Sequence, residues 1–126
     1  MTVINGVTLT NFVVSPDGSM ISINVIDENS EPGSLILPSE SLQSLIMSMP
    51  EMMQQALRRR YRDPSLRLVY PLGNWHLETS TEPGKLILTL STSDGFAVSF
   101  AVTAGELRQF ANTAKRARRV RVPRSN

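Results

Sequence analysis

The sequence lacks cysteine altogether and contains one histidine in 126 residues. Without cysteine, a protein forms neither disulfide bonds nor thiolate metal sites, and nothing here indicates an oxidising compartment. Zinc sites built without cysteine need several histidines or carboxylates. The acids Asp27, Glu28 and Glu31 lie close together but lack the spacing of a calcium loop. We therefore expect no metal site, and we expect a cytoplasmic location.

Long apolar runs are missing as well. No stretch of the sequence approaches the roughly 20 apolar residues that a membrane-spanning helix needs. The first residues also lack the basic segment and apolar run of a secretory signal. We therefore expect no membrane partner.

Nucleotide-binding and catalytic motifs are also missing, including the dinucleotide fingerprint, the Walker loop and the nucleophile elbow. The one pair with catalytic chemistry is His76 and Glu78, which share one face of a predicted strand. The simpler interpretation is an outward polar pair opposite Trp75 and Leu77, because side chains alternate along a strand. We predict no catalytic residue and no cofactor, hence a protein that is not an enzyme. An enzyme with a pocket around His76 and Glu78 is the alternative.

Basic residues are absent from residues 1–57, which carry six acidic residues. Residues 58–126 carry all thirteen Lys and Arg residues and five acidic residues, so the two parts have net charges of −6 and +8. Such an asymmetry predicts attraction between the parts, either within one chain or between two chains.

The basic charge is densest near the end of the sequence. Six cations lie within ten residues there: Lys115, Arg116, Arg118, Arg119, Arg121 and Arg124. Such clusters neutralise phosphates and give salt-dependent affinity for nucleic acid, and an acidic protein is another candidate partner. Aromatic residues for stacking on bases are few, since Phe96, Phe100 and Phe110 are predicted to be buried. The alternative interpretation is a solubilising helix end that the helix dipole favours.

Two alternating runs form the clearest structural signal. Apolar residues recur at every second position in Leu86–Leu90 and again in Phe96–Val102, on either side of Asp94-Gly95. This pattern predicts an antiparallel hairpin. Thr103 and Glu106 then have the spacing of a capping box that opens a helix. Weaker alternation predicts strands over residues 7–15, 20–27, 35–37, 66–70 and 75–79, with a bulge near Asn11.

An earlier helix is predicted from its N-cap, Ser39, by an apolar stripe with three- and four-residue steps. The stripe consists of Leu42, Leu45, Ile46, Met49, Met53, Ala56 and Leu57. Pro50 is expected to kink or divide this helix, because proline removes a backbone donor and clashes with the preceding turn.

Four methionines surround Pro50 and widen the apolar stripe: Met47, Met49, Met52 and Met53. Filling a core is the ordinary role of such flexible side chains. If they are exposed, they form a candidate oligomer interface. We therefore expect self-association as a homodimer.

The two parts of the sequence show the same order of elements, a meander of strands followed by a helix. Matching segments lie about 63–65 residues apart, as Leu35–Leu37 and Phe100–Val102 do. A rival match pairs Glu31–Leu37 with Glu82–Leu88 at a displacement of 51 residues. The two displacements exclude one another, and we favour the longer one because it aligns the elements.

A single α+β domain over residues 1–122 is the resulting prediction, with half-repeats 1–63 and 64–122 and a disordered tail of residues 123–126. The domain would hold an antiparallel β-meander of about six to eight strands and two amphipathic helices, with a pseudo-twofold duplication of a strand-strand-strand-helix unit as one form. At the level of topology alone, this order resembles the Whirly and Pur single-stranded nucleic-acid-binding families, and no motif residue accompanies the resemblance.

We predict a small non-enzymatic binding or assembly module that forms a homo-oligomer. The alternative function is nucleic-acid binding through the basic C-terminal helix and tail.

Overall fold

The computed structural model describes Met1 and residues 3–119, apart from the side chain of Arg119. Its architecture is α+β, with two three-stranded antiparallel sheets and two helices. In chain order the elements are β1 (Gly6–Val14), β2 (Met20–Asp27), β3 (Pro32–Pro38), α1 (Ser39–Tyr61), β4 (Asn74–Thr79), β5 (Leu86–Ser91), β6 (Ala97–Val102) and α2 (Ala104–Arg119). The chain divides into two compact units, Met1–Leu68 and Val69–Asn126.

In the first unit, strands β1, β2 and β3 pair in that order. Successive side chains along a strand point to opposite sides of the sheet. The register of the three strands therefore places eight of their apolar side chains on the same side. These residues form apolar face A: Leu9, Phe12, Val14, Ile21, Ile23, Val25, Leu35 and Leu37. The predicted bulge is confirmed, since the register of β1 shifts between Leu9 and Asn11.

The opposite side of this sheet carries hydrogen-bonded polar side chains across its centre. Asn24 Nδ2 donates to Asn11 Oδ1 at 2.6 Å. Asn24 Oδ1 accepts from Ser34 Oγ at 2.6 Å and from Ser22 Oγ at 3.2 Å. One side of the sheet therefore suits water, and the other side suits an apolar partner.

In the second unit, strands β4, β5 and β6 pair in that order. Their register forms apolar face B: Trp75, Leu77, Leu86, Leu88, Leu90, Val98, Phe100 and Val102. On the opposite side, the hydroxyl oxygens of Thr89 and Ser99 lie 2.8 Å apart in a hydrogen bond. The predicted hairpin is confirmed, with Thr92 N donating to Phe96 O at 2.8 Å. Gly95 has a φ of +98°, in the left-handed region that favours glycine.

Helix α1 continues through Pro50 as one 23-residue helix, so Pro50 does not divide it, and the alternative expectation of a kink stays a prediction. Pro50 removes only one donor from the helical ladder, and the turns on both sides keep theirs. The prediction of Ser39 as N-cap is also wrong. The N-cap is Pro38, and no described side chain caps the first turn.

The strand predicted at residues 66–70 is wrong as well. This segment takes an irregular path, and its first part hydrogen-bonds to the C-terminal half of α1. Arg58 Nε donates to Leu66 O at 2.8 Å, and Leu68 N donates to Gln54 Oε1 at 3.3 Å. Helix side chains thus take over hydrogen bonds that a neighbouring strand would otherwise make.

Helix α2 begins with the predicted capping box. Thr103 N donates to Glu106 Oε1 at 2.9 Å, and Glu106 N donates to Thr103 Oγ1 at 3.1 Å. The hydrogen bond from the Thr103 backbone nitrogen, followed by the Thr103 hydroxyl, holds the pKa of the Glu106 carboxyl below its ordinary value. The box satisfies backbone donors that the first turn of a helix leaves free.

The elements of the two units correspond at one displacement of 65 residues. Helix α1 begins at Ser39 and helix α2 at Ala104, and each follows three strands paired in sequence order. At the rival displacement of 51, Gly33 lies within β3, whereas Gly84 lies in the turn before β5. The element order therefore favours the longer displacement, and duplication stays a prediction.

Neither unit encloses its apolar side chains. Among the described residues, only Val102 is buried, with 6% of its surface exposed. The expected burial of three aromatic residues is wrong, because Phe96, Phe100 and Phe110 are 61%, 49% and 57% exposed. A sheet buries its apolar face only against a second layer. Helix α1 supplies little of one, since it contacts β2 and β3 over a short length.

The capping box predicts a measurable contribution to stability. Replacing Thr103→Ala removes the hydroxyl that accepts from Glu106 N, so unfolding by urea should show a loss of about 1 kcal/mol. Thr113→Ala is the matched control within α2 and should cause no loss, because alanine favours a helix interior. Equal stability of the Thr103→Ala variant and the unmodified chain would contradict the role of the box.

The turn between β1 and β2 is organised by the carboxylate of Asp17. Its Oδ1 accepts from Ser19 Oγ at 2.7 Å, from Ser15 Oγ at 2.8 Å and from Ser19 N at 3.1 Å. These hydrogen bonds, the Ser19 hydroxyl foremost, lower the pKa of Asp17 from 3.8 to about 2. A charged acceptor therefore fixes the path of the chain between the two strands.

This geometry predicts a pH dependence. Because the folded pKa of Asp17 is depressed, its contribution to stability is present above pH 3.8 and is lost as the pH falls through about 2. Carboxyl-carbon NMR should give a titration midpoint near 2 for Asp17. Ser19→Ala should raise that midpoint, and Ser34→Ala should leave it unchanged. An ordinary midpoint in the unmodified chain would refute the assignment.

Candidate functional site

Apolar face B is open to solvent over most of its area, and Trp75 at its margin is 61% exposed. A groove of about 360 Å³ runs beside the face. Its apolar lining comprises Tyr70, Leu72, Leu90, Phe96, Val98 and Phe100. Contiguous apolar surface of this kind marks an interaction site in soluble proteins.

The segment before β4 builds one wall of this groove. Gly73 N donates to Ser91 O at 2.8 Å, which holds the segment against the hairpin. A Cβ at Gly73 would overlap the backbone nitrogen of Ser93, so this close approach requires glycine. The rings of Tyr70 and Phe96 lie 6.2 Å apart at an angle of 48°. Two segments distant in sequence thus form one apolar surface.

Apolar face A has a comparable groove of about 500 Å³. Its apolar lining comprises Leu9, Phe12, Val14, Ile21, Ile23 and Leu42. Leu42 comes from α1, so the helix contributes to the rim of the groove. Phe12 is 71% exposed and projects from the sheet. Both units therefore present an open apolar face with an aromatic residue and a groove.

The four methionines of the predicted oligomer interface all lie on α1 and are exposed: Met47, Met49, Met52 and Met53. Core filling is therefore not their role within the described residues. Their thioether side chains extend the apolar surface of the first unit along its helix.

The basic residues predicted to contact nucleic acid or an acidic partner are placed only in part. Lys115, Arg116 and Arg118 lie on α2 and are exposed. The side chain of Arg119 lies outside the described part of the chain, as do Arg121, Arg124 and the predicted tail of residues 123–126.

The arginines at the end of α1 have partners within their own unit. Arg58 Nε donates to Leu66 O at 2.8 Å. The guanidinium carbon of Arg60 lies 5.8 Å from the centre of the Tyr61 ring, a cation–π distance. Arg58 therefore serves the fold, because its guanidinium holds the segment that follows the helix.

The residues with candidate catalytic or ionic chemistry stay dispersed. His76 and Glu78 are exposed and lie on the side of β4 opposite face B. Asp27 Oδ1 accepts from the backbone nitrogens of Asn29 and Glu31, at 2.9 and 2.8 Å, so it closes its own turn. Over the described residues, no three His, Cys, Asp or Glu side chains cluster closely enough to hold a metal ion.

Sequence analysis missed two contributions to these surfaces. Tyr70 was assigned to a strand and Leu72 to no surface, and only the contact with the hairpin reveals their place in the groove. Arg108 is exposed and precedes Lys115 by seven residues, about two turns of helix, so both lie on one side of α2. That spacing was available in the sequence.

The helices of the described chain fall short of a membrane span in length or in apolar character. Comparison of the chain with protein-family models, with curated proteins and with solved structures gave no match.

Proposed function

We propose that this protein is a non-enzymatic assembly module that acts as a homodimer, and that faces A and B are its binding surfaces. The observation that carries the proposal is the exposure of both faces, with only Val102 buried among the described residues. Apolar area removed from water is the main favourable term in folding and in association. A chain that leaves this area uncovered gains its stability from a partner.

The total exposed area supports this proposal. The chain exposes 11175 Å². Two separate compact domains of about 7 kDa would together expose about 8,000 Å², from the scaling of area with mass. The excess is about 3,000 Å² per chain and about 6,000 Å² for two chains, which is enough to supply the roughly 2,000–5,000 Å² of total area that obligate homodimers bury.

The two units contain their strands and helix in the same order, which supports an internal duplication within the chain. Two sheets with one apolar and one polar side each, both followed by a helix, correspond at a displacement of 65 residues. Duplication would give one chain two similar binding surfaces. We propose a cytoplasmic location, because the chain has no cysteine with which to form the disulfide bonds typical of an oxidising compartment.

Self-association is tested by light scattering after size-exclusion chromatography over a range of concentrations. The full chain should have the mass of a dimer. Phe100→Ser removes an exposed ring from face B and should raise the dimer dissociation constant about tenfold or more. His76→Ser, on the opposite side of the same sheet, is the control and should leave the constant unchanged. A monomer at the highest concentrations would refute the proposal.

Nucleic-acid binding is the second candidate function. Its support is the exposed basic surface of α2, where Arg108, Lys115, Arg116 and Arg118 lie within three turns. Cationic side chains on an exposed helix contact phosphates without needing a pocket.

Salt dependence tests this candidate. Binding of a mixed-sequence oligonucleotide should weaken steeply as salt rises, with a slope of about 0.9 per phosphate contact on duplex DNA. Replacing Lys115, Arg116 and Arg118 by Gln should lower both affinity and slope. As a control, replacing Arg59, Arg60 and Arg67 by Gln removes the same amount of charge outside α2. This control variant should lose less affinity than the α2 variant. Lack of binding at low salt would eliminate this function.

A further inference from the structure

Three of the six methionines of the chain lie together on one face of helix α1. Met49 is followed by Met52 and Met53, at steps of three and four residues. Residues at these steps are neighbours on a helix, with Cβ atoms about 5–6 Å apart. Methionine side chains in helices lean toward the N-terminus, which brings Met52 and Met53 over Met49. We call Met49, Met52 and Met53 the thioether triad.

The triad depends on a helix that continues past Pro50. Met49 precedes this proline, and Met52 and Met53 follow it. A break at Pro50 would turn Met49 away from the other two residues, whereas α1 runs as one helix from Ser39 to Tyr61. The three side chains therefore share a sector of about 100° around the helix axis.

The triad is open to solvent. Met49, Met52 and Met53 are 46%, 48% and 51% exposed. Each methionine side chain has three rotatable bonds and a polarisable sulfur atom, so the three sulfur atoms are able to converge on one point. An ion in solution therefore reaches the triad without any opening of the fold.

The donor atoms of the triad are soft. Thioether and thiolate sulfur select Cu(I), whereas Mg²⁺, Ca²⁺ and Mn²⁺ prefer oxygen ligands. Zinc is held by thiolates, imidazoles and carboxylates. The sequence contains no cysteine, so methionine supplies every sulfur atom of the chain. A thioether carries no proton, and the triad therefore binds a metal ion without competition from protons.

Harder ligands on α1 lie away from the triad. Glu51, the nearest carboxylate in the sequence, lies at least about 100° around the helix from each of the three methionines. Its Oε1 also accepts a hydrogen bond from Gln55 Nε2 at 3.3 Å. The helix residues that share the sector of the triad are apolar: Leu45, Ile46, Ala56 and Leu57. This face of the helix thus offers an ion sulfur ligands alone.

We propose that the thioether triad is a binding site for one Cu(I) ion, with the sulfur atoms of Met49, Met52 and Met53 as its ligands. The expectation of no metal site, drawn from the sequence, concerned thiolates, imidazoles and carboxylates and did not consider thioethers. This inference goes beyond the proposed self-association, because one helix of one chain supplies all three ligands.

Competition with a chromophoric Cu(I) chelator tests the site on the full chain, under reducing and oxygen-free conditions. The unmodified chain should take up one Cu(I) ion. Leucine conserves the volume and the helix propensity of methionine, so Met→Leu removes the sulfur atom and keeps the fold. Loss of an outer-shell partner costs roughly 10–100-fold in metal affinity, so each single Met→Leu change in the triad should cost at least about tenfold. The triple variant should not bind Cu(I).

Met47→Leu is the matched control. Met47 lies on the same helix and is 76% exposed, but it lies at least about 120° around the helix from every member of the triad. Its replacement should leave the affinity for Cu(I) unchanged. His76→Ser should leave the affinity unchanged as well, because the single imidazole of the chain lies on β4.

NMR of the methionine methyl groups locates the ion directly. Ag(I) is a soft ion of the same charge that undergoes no redox change, so it serves as the probe. Its addition should shift the methyl signals of Met49, Met52 and Met53 and leave that of Met47 in place. Equal shifts at Met47 would mean that Ag(I) binds any exposed thioether, and they would overturn the site.

Two further outcomes overturn the proposal. One is an unmodified chain that takes up no Cu(I), and the other is a triple variant that binds Cu(I) as tightly as the unmodified chain. Light scattering of the triple variant separates this result from the proposed homodimer. Leucine keeps the apolar area of the helix, so self-association should persist when Cu(I) binding is lost.

Discussion

The structure depends on the alternating direction of side chains along the strands of two short sheets. Alternation gives each three-stranded sheet one apolar side, and hydrogen-bonded polar groups such as Asn24 with Asn11 and Thr89 with Ser99 occupy the other. A one-residue slip of any strand would exchange these sides, so the register is strongly specified. The same alternation creates a requirement that neither unit meets alone, because an apolar side of a sheet needs a second layer.

The distribution of charge and the apolar faces act on different aspects of recognition. Apolar area supplies most of the free energy of association and is indifferent to the identity of an apolar partner. In the proposed association, the uneven charge, −6 on residues 1–57 and +8 on residues 58–126, would act on the choice of partner more than on affinity. If the basic side of α2 also binds phosphates, salt would weaken both interactions, but to different extents, because interactions between exposed charges are screened far more than apolar contacts.

Sequence analysis succeeded where the determining residues are neighbours along the chain. The Asp94-Gly95 turn, the Thr103 capping box and the bulge near Asn11 all follow from local chemistry. It failed where the local structure depends on contacts between residues that are far apart in the sequence. The segment at residues 66–70 takes its hydrogen bonds from helix α1, which no local pattern indicates. Periodicity likewise identified the residues that share an apolar face, but it contains no information about how much of Phe100 is exposed.

The outer strands of the first sheet carry features that disfavour pairing with further strands. Strand β1 contains register shifts that interrupt a regular ladder, and β3 begins at Pro32 and ends at Pro38, which have no backbone N–H to donate. Strand addition at an open edge is the route by which sheets grow into fibres. Strand addition at the edges of the first sheet is therefore disfavoured, and the proposed self-association would use its apolar side rather than its edges.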